Sequence, residues 1–367
     1  MSFAGYRLGD SGPAVAEARE RLARIGLLAD ATGPDFDHAV DTAVRGFQQE
    51  RGLTVDGIIG PATFRLLEEA RWRLGDRVLT FSAAHLTTGD DVAELQGRLH
   101  ELGFSCGRID GIFGRETDRG VREFQRNVGY TADGTCGPDT FKALARLART
   151  VAGATGDALR DEVSLARLRT GVADKVVVID PGHGGDDLGQ TGNGLAEAEV
   201  AADVAAKVEG RLAAIGTQVL LTRPVITVNG EGAPTASADE SDRADFANEV
   251  GADLVVSIHV DAAISGSPNG CATFYYGADR FGGGSVLGAQ FAQLVQDEIV
   301  ARTDLVDCGT HPKTWDLLRR TRMPTVRLEC GYVSNAGDAA RLSDAGFRGV
   351  LADSVAAAVV AFFAPRD

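Results

Sequence analysis

The stretch from Val15 to Phe64 is written twice, the second time from Val92 to Phe141. Shifted by 77 residues, the distance from Val15 to Val92, the chain matches itself without a gap. Leu22 falls on Leu99, Gly26 on Gly103, Phe47 on Phe124 and Gly52 on Gly129. Asp56-Gly57 falls on Asp133-Gly134, Gly60-Pro61 on Gly137-Pro138, and Thr63-Phe64 on Thr140-Phe141. Chance does not hold so many punctuating residues in one register, so the N-terminal half must contain two copies of one small structure. Each copy reads as helix, loop, helix, turn, helix. Val15, Ala18, Leu22 and Ile25 recur at helical spacing and Gly26 stops them. Ala43 and Phe47 mark a second helix, Val55-Asp56-Gly57 a turn, and Gly60-Pro61 opens a third at a proline, where the missing N–H costs nothing.

The segments FQQERGLTVDGIIGPATF and FQRNVGYTADGTCGPDTF resemble the peptidoglycan-binding helical module attached to many wall hydrolases, over about residues 8–70 and 85–147. The resemblance implies peptidoglycan as a partner. The matching positions themselves are glycine, proline and core apolar residues, which specify a fold and leave the ligand open.

After residue 148 the texture changes. TVAGATGDALRDEV is small and polar and reads as a linker over 149–174. Beyond it, short β-branched runs alternate with helical patterns: Val176–Ile179, Gln218–Leu221, Leu254–Ile258, Ala272–Tyr276 and Thr325–Leu328 as strands, with helices between them and a last helix from about Val350. Continuous apolar strands alternating with helices predict an α/β domain with a buried sheet flanked by helices. The expected layout is therefore two three-helix modules over 1–75 and 76–148, the linker, and an α/β domain over 175–367.

Polar residues fall at the strand ends. His183 follows the first strand, His259 closes VVSIH and Glu329 closes TVRLE, and strand ends are where open α/β sheets build sites. A hydrolytic zinc centre needs three protein ligands, commonly two imidazoles and a carboxylate, with a fourth position for water. The chain has six histidines, so two of them closing apolar strands is a concentration. One alone would read as a hydrogen-bonded core residue; two with a carboxylate read as a centre. In LAEAEVAADVAAKVEGRL, Glu197 lies about 20° from the apolar stripe of Val200, Val204, Val208 and Leu212, whereas Glu199 lies about 140° away and faces solvent. A carboxylate on a buried stripe needs a partner, either a metal or the backbone N–H groups of the helix start. Five cysteines, an odd number without close spacing, argue for free thiols over a disulfide framework or a cysteine zinc site.

The order IDPGHGG at 179–185, Glu197, LLTR at 220–223, Arg243 with Asn248, ADLVVSIHVDA at 252–262 and RMPTVRLECGYVSN at 322–335 resembles the zinc N-acetylmuramoyl-L-alanine amidases of bacterial cell walls, over about 175–363. The resemblance implies His183, Glu197 and His259 as Zn²⁺ ligands and Glu329 as the catalytic acid/base. It implies hydrolysis of the amide between N-acetylmuramic acid and L-alanine, and leaves the substrate-binding residues unassigned. Glu329 has a second reading, as a structural carboxylate pairing with Arg327 or Arg322. Two departures, Val-Asp after His259 and Ala198 after Glu197, touch substrate contacts and leave the ligand set whole.

A net charge of −15 disfavours nucleic acid and anionic surfaces as electrostatically recruited partners. No apolar run reaches the roughly 18 residues of a membrane span, and MSFAGYRLGDSG has no export pattern, so a cytoplasmic location is expected, with the wall reached by another route as the alternative. Together with the double module and TWDLLRRTRMPTV at 314–326, this layout resembles the actinobacterial cytoplasmic branch of the amidase family that regulates peptidoglycan precursor synthesis. That resemblance implies an enolpyruvyl transferase as a partner and stands beside hydrolysis as a second reading.

Overall fold

The computed structural model describes residues 5–147, 168–223, 239–263, 265–278 and 283–365. Most of the expected linker, residues 149–167, lies outside the described residues. Two compact units make up the chain, the first from residues 1–159 with 277–284 and the second from 160–276 with 285–367.

The first unit holds the repeat. Helices α1 (Pro13–Arg24), α2 (His38–Glu50) and α3 (Pro61–Glu69) form the first copy; α4 (Asp90–Glu101), α5 (Arg115–Asn127) and α6 (Pro138–Leu147) form the second, with a two-residue pairing of β1 (Thr87–Thr88) and β2 (Ile112–Phe113). Pro13, Pro61 and Pro138 each take the first helical position. Phe47 and Phe124 are fully buried at equivalent places. The copies are joined by a buried ion pair, Arg51 to Asp90, with both nitrogen–oxygen contacts at 2.6 Å.

Beneath the 77-residue register lies a finer repeat that the sequence reading did not single out. The pattern Asp-Gly-x-x-Gly-x-x-Thr occurs three times, at 56–63, 110–117 and 133–140. Each time a buried glutamine from the preceding helix clasps it. Gln48 Nε2 reaches Asp56 Oδ1, Ile58 O and Thr63 Oγ1 at 2.7, 3.0 and 3.2 Å, and its Oε1 accepts from Gly57 N–H. Gln125 does the same with Asp133, Thr135, Thr140 and Gly134, and Gln96 with Asp110, Ile112, Thr117 and Gly111. The fourth position expected from the register is Arg19, which replaces glutamine and donates instead to Asp30 O, Asp35 O and Asp37. A central glycine is required: at Gly134, with φ +74°, an added Cβ would lie 2.0 Å from Asp118 Oδ1.

The second unit is an α/β layer structure. Strands β3 (Val176–Pro181), β6 (Gln218–Leu221), β7 (Leu254–Asp261), β8 (Cys271–Ala278), β10 (Asp307–Lys313) and β11 (Thr325–Tyr332) form a sheet in the order β10-β8-β11-β7-β3-β6. Two short strands, β4 (Thr191–Gly192) and β5 (Leu195–Ala196), pair with each other, and β9 (Gly283–Gly284) pairs with β8. The pairing of β8 with β11 is antiparallel and the other ladders along the path are parallel, so the sheet is mixed.

Both faces of the sheet are covered, which is why its strands read as continuous apolar runs. Val177, Ile179, Val256, Ile258, Val326 and Leu328 pack on one face against α7 (Glu197–Ala213), α9 (Val286–Arg302) and α12 (Ala345–Phe363). Val178 and Val255 pack on the other with Ala247 of α8 (Glu240–Glu249). Short helices α10 (Asp316–Arg320) and α11 (Ala336–Ser343) flank β11 in sequence.

Strand β10 and helix α11 were not foreseen, and α12 starts at Ala345 rather than near Val350. At 19 residues α12 is long and apolar enough to cross a bilayer by length and composition. Its Leu351, Val355, Val359, Phe362 and Phe363 are instead fully buried in this core. All five cysteines are free thiols.

Candidate metal centre

Pairing register places the polar residues side by side. Glu329 of β11 lies opposite His259 of β7, and one row further along the same face Phe274, Arg327, Ser257 and Asp180 cross four neighbouring strands. Arg327 and Glu329 share a face because side chains alternate along a strand. Glu197, the first residue of α7, meets this row from the opposite end of the site, and His183 meets it from the loop after β3.

The three expected ligands converge. His183 Nε2 lies 3.2 Å from Glu197 Oε2, and His259 Nδ1 lies 2.8 Å from Glu197 Oε1. One nitrogen or oxygen from each of the three lies within 4.8 Å of the others, an arrangement that can hold a metal ion. The rings stand nearly perpendicular, with centroids 5.3 Å apart. Glu197 is 1% exposed and accepts backbone N–H bonds from Gln190 and Val260. Those donors are strand and loop amides, not the first amides of α7, so the capping alternative does not describe it. Glu199 faces solvent, as the helical angle requires.

Burial alone would raise the Glu197 carboxyl, but hydrogen bonds from His183 and His259 outweigh it and hold the group far below the usual range. Burial, assisted by the Arg327 charge, pulls His259 down to about 4, so its imidazole is neutral and keeps a lone pair for a ligand bond. Glu329 moves the other way. Burial lifts its carboxyl to about 7 although Arg327 opposes the rise.

Arg327 decides how Glu329 is held. Its Nε donates to Glu329 Oε1 at 2.8 Å, its Nη1 to Glu240 Oε1 at 3.1 Å, and its guanidinium lies 4.5 Å from the centre of the Trp315 ring. Glu329 Oε2 is buried, with no hydrogen-bond partner among the described residues. Thus one of the two expected pairings of Glu329 exists, with Arg327. Arg322 is exposed, and its backbone N–H goes to Asn248. Asn248 also donates to Arg320 O, so it braces the segment entering β11. Arg243 lies 3.5 Å from Asp180, which is fully buried, accepts from Ser257, and is held below the usual carboxyl range by Arg243 against the opposing effect of burial.

His183, Glu197, His259, Arg243 and Arg327 line a cavity of about 410 Å³ that also takes in Asp187, Gln190, Asp239, Glu240 and Asp261. Of these five the sequence singles out only Asp261, in the Val-Asp pair after His259. Arg327 is the pairing partner of Glu329 that the sequence offered; Asp187 could have been found from its place four residues after His183, whereas Asp239 and Glu240 reach the cavity only through the packing of α8 against the sheet.

A mixed α/β sheet carrying two imidazoles, a carboxylate and a separate buried carboxylate beside an open cavity defines a metal-hydrolase type of centre. The family model described as N-acetylmuramoyl-L-alanine amidase matches residues 177–361, and the peptidoglycan binding domain model matches 11–67 and 88–144. The N-acetylmuramoyl-L-alanine amidase CwlM of Mycobacterium tuberculosis is 41% identical over 367 residues, covering 96% of this chain and 88% of that protein. The N-acetylmuramoyl-L-alanine amidase LytC of Bacillus subtilis is 30% identical over 197 residues, 54% of this chain and 37% of that protein. Among solved structures, the catalytic domain of the amidase CwlV from Bacillus (Paenibacillus) polymyxa var. colistinus is 30% identical, with a TM-score of 0.45, covering 51% of this chain and 97% of that one. The chain belongs to the N-acetylmuramoyl-L-alanine amidase family.

Proposed function

We propose that this chain is a zinc-dependent N-acetylmuramoyl-L-alanine amidase in which His183, Glu197 and His259 hold the ion and Glu329 is the acid/base. The observation that carries the reading is the convergence of the three donor groups beside a buried carboxylate, one oxygen of which has no partner among the described residues. Two neutral-capable imidazoles and one ionised carboxylate are a donor set that suits zinc, and the cavity leaves room for a fourth position. When bound, zinc supplies Lewis acidity and brings the pKa of its water down to about 7.

The protein's own groups do the rest. Glu197 stays ionised and His259 neutral, each in the state a ligand needs. Arg327 occupies Glu329 Oε1, so the other oxygen, Oε2, is the one that takes the proton from the attacking water. The same carboxyl then delivers that proton to the departing alanine nitrogen as the C–N bond breaks. A carboxyl lifted to about 7 is suited to both halves of this exchange near neutral pH.

The test is release of L-alanyl peptides from muropeptides by the full chain, with and without zinc. Glu329→Gln is expected to retain one zinc per chain and lose about 10²–10⁴-fold in turnover, whereas His259→Ala is expected to lose the metal. Turnover of Glu329→Gln at the wild-type rate would place the base elsewhere, and full zinc content in His259→Ala would overturn the ligand set.

A further inference from the structure

The two imidazoles are held in different ways. The His259 side chain is 4% exposed, set in a central strand and pressed against Gly182, where an added Cβ would come within 2.3 Å of its ring. The His183 side chain is 28% exposed and stands on a loop, with its backbone at φ +57°, in the left-handed region that a histidine rarely takes. Packing fixes the first ring. Something else must fix the second, because a partly exposed ring on a loop keeps its rotamer freedom, and the strained backbone persists only if neighbours hold it.

The loop supplies one group able to do this. Asp187 Oδ2 lies 2.7 Å from His183 Nδ1, and Asp187 Oδ1 accepts from Gly189 N–H at 3.0 Å. Gly184 and Asp187 also exchange both backbone hydrogen bonds, at 2.8 and 3.1 Å, closing the turn that carries the ring. Gly189 in turn sits against both ligands on this side: a Cβ there would fall 2.6 Å from Glu197 Oε2 and 2.7 Å from His183 Cδ2. A single carboxylate thus ties the ring to the stretch of backbone that packs on His183 and Glu197.

We infer that Asp187 is a positioning residue for the metal centre: it accepts the Nδ1 proton of His183, so that Nε2, the nitrogen on the Glu197 side, is the one left to bind the ion. The inference rests on the zinc reading above and assigns to Asp187 the orientation of one ligand, not a ligand bond. A carboxylate behind a ligating imidazole fixes tautomer and ring orientation, and its loss weakens metal affinity by about 10–100-fold.

The neighbouring Asp186 provides the control. It is exposed, carries the same charge one residue away, and removing it tests the general field of the loop without touching the ring. The experiment uses the metal-free full chain titrated with zinc against a chelator of known affinity, for wild type, D187A, D187N, D186N and H259A. Coincident melting of the metal-free proteins establishes that the variants fold, with the isosteric D187N as the fallback should D187A melt early. The expected result is zinc affinity about 10–100-fold weaker in both Asp187 variants, at a stoichiometry still of one, and unchanged in D186N. Wild-type affinity in D187A and D187N, with metal lost in H259A, overturns the role of Asp187 alone. An equal loss in D186N overturns it in favour of plain charge. A wild-type chain that takes up no zinc overturns the metal reading and this inference with it.

Discussion

Glu329 is buried with one carboxylate oxygen on Arg327 and the other without a partner among the described residues. That arrangement suits a proton carrier and costs stability. Because burial lifts its pKa from 4.5 to about 7, the folded chain binds this proton more tightly than the unfolded chain does. Its contribution is therefore neutral below about pH 4.5 and increasingly destabilising as pH rises through 7. Above that the penalty is on the order of 3 kcal/mol. The metal-free Glu329→Gln chain, which mimics the protonated acid, should then be more stable than wild type at pH 8 and nearly equal to it at pH 4.5. Thermal melts at the two pH values check this; a gap of the same size at both would mean that the carboxylate is not the source. Such a trade of stability for chemistry is common where a site buries an unsatisfied group.

The elements of the N-terminal unit are small, and each relies on a buried glutamine to close its turn. Gln125 serves four groups of the segment 133–140, so Gln125→Leu would leave the buried Gly134 N–H without its partner, while Thr135 O keeps the Thr140 hydroxyl. At about 1–3 kcal/mol for an unsatisfied buried group, a loss of roughly that size is expected. Amide hydrogen exchange in α5 and α6 reads it locally. Protection unchanged in α5 and α6 would show that the clasp is incidental to the module. Arg19 shows that the clasp tolerates one replacement, provided the new side chain is long enough to reach the carbonyls of Asp30 and Asp35.

At the scale of the whole molecule, charge is the dominant feature. With a net charge of −15, association with anionic wall polymers has to overcome repulsion, which salt screens over about 10 Å at 0.1 M. Co-sedimentation with purified walls carrying such polymers should therefore be weakest at low ionic strength and rise as salt is added. Binding that falls steeply with salt would mean that a local basic surface outweighs the net charge.

Much of this protein is legible in its residues. Repetition of Gly, Pro and Phe at a fixed offset determines two equal modules, because the turn conformations they require leave few other folds open. Apolar strand runs and the helical angle of Glu197 determine a covered sheet with His183, Glu197 and His259 at its rim, since burying a polar group demands a partner. Tertiary structure alone decided the rest. The pairing of β11 with β7 and β8 set Glu329 beside His259 and Arg327 beside Trp315's neighbour Phe274, and the packing of α8 brought Glu240 onto Arg327. Strand register and helix packing join residues 50 or more positions apart, and a local pattern carries no information about which distant partner a side chain will meet.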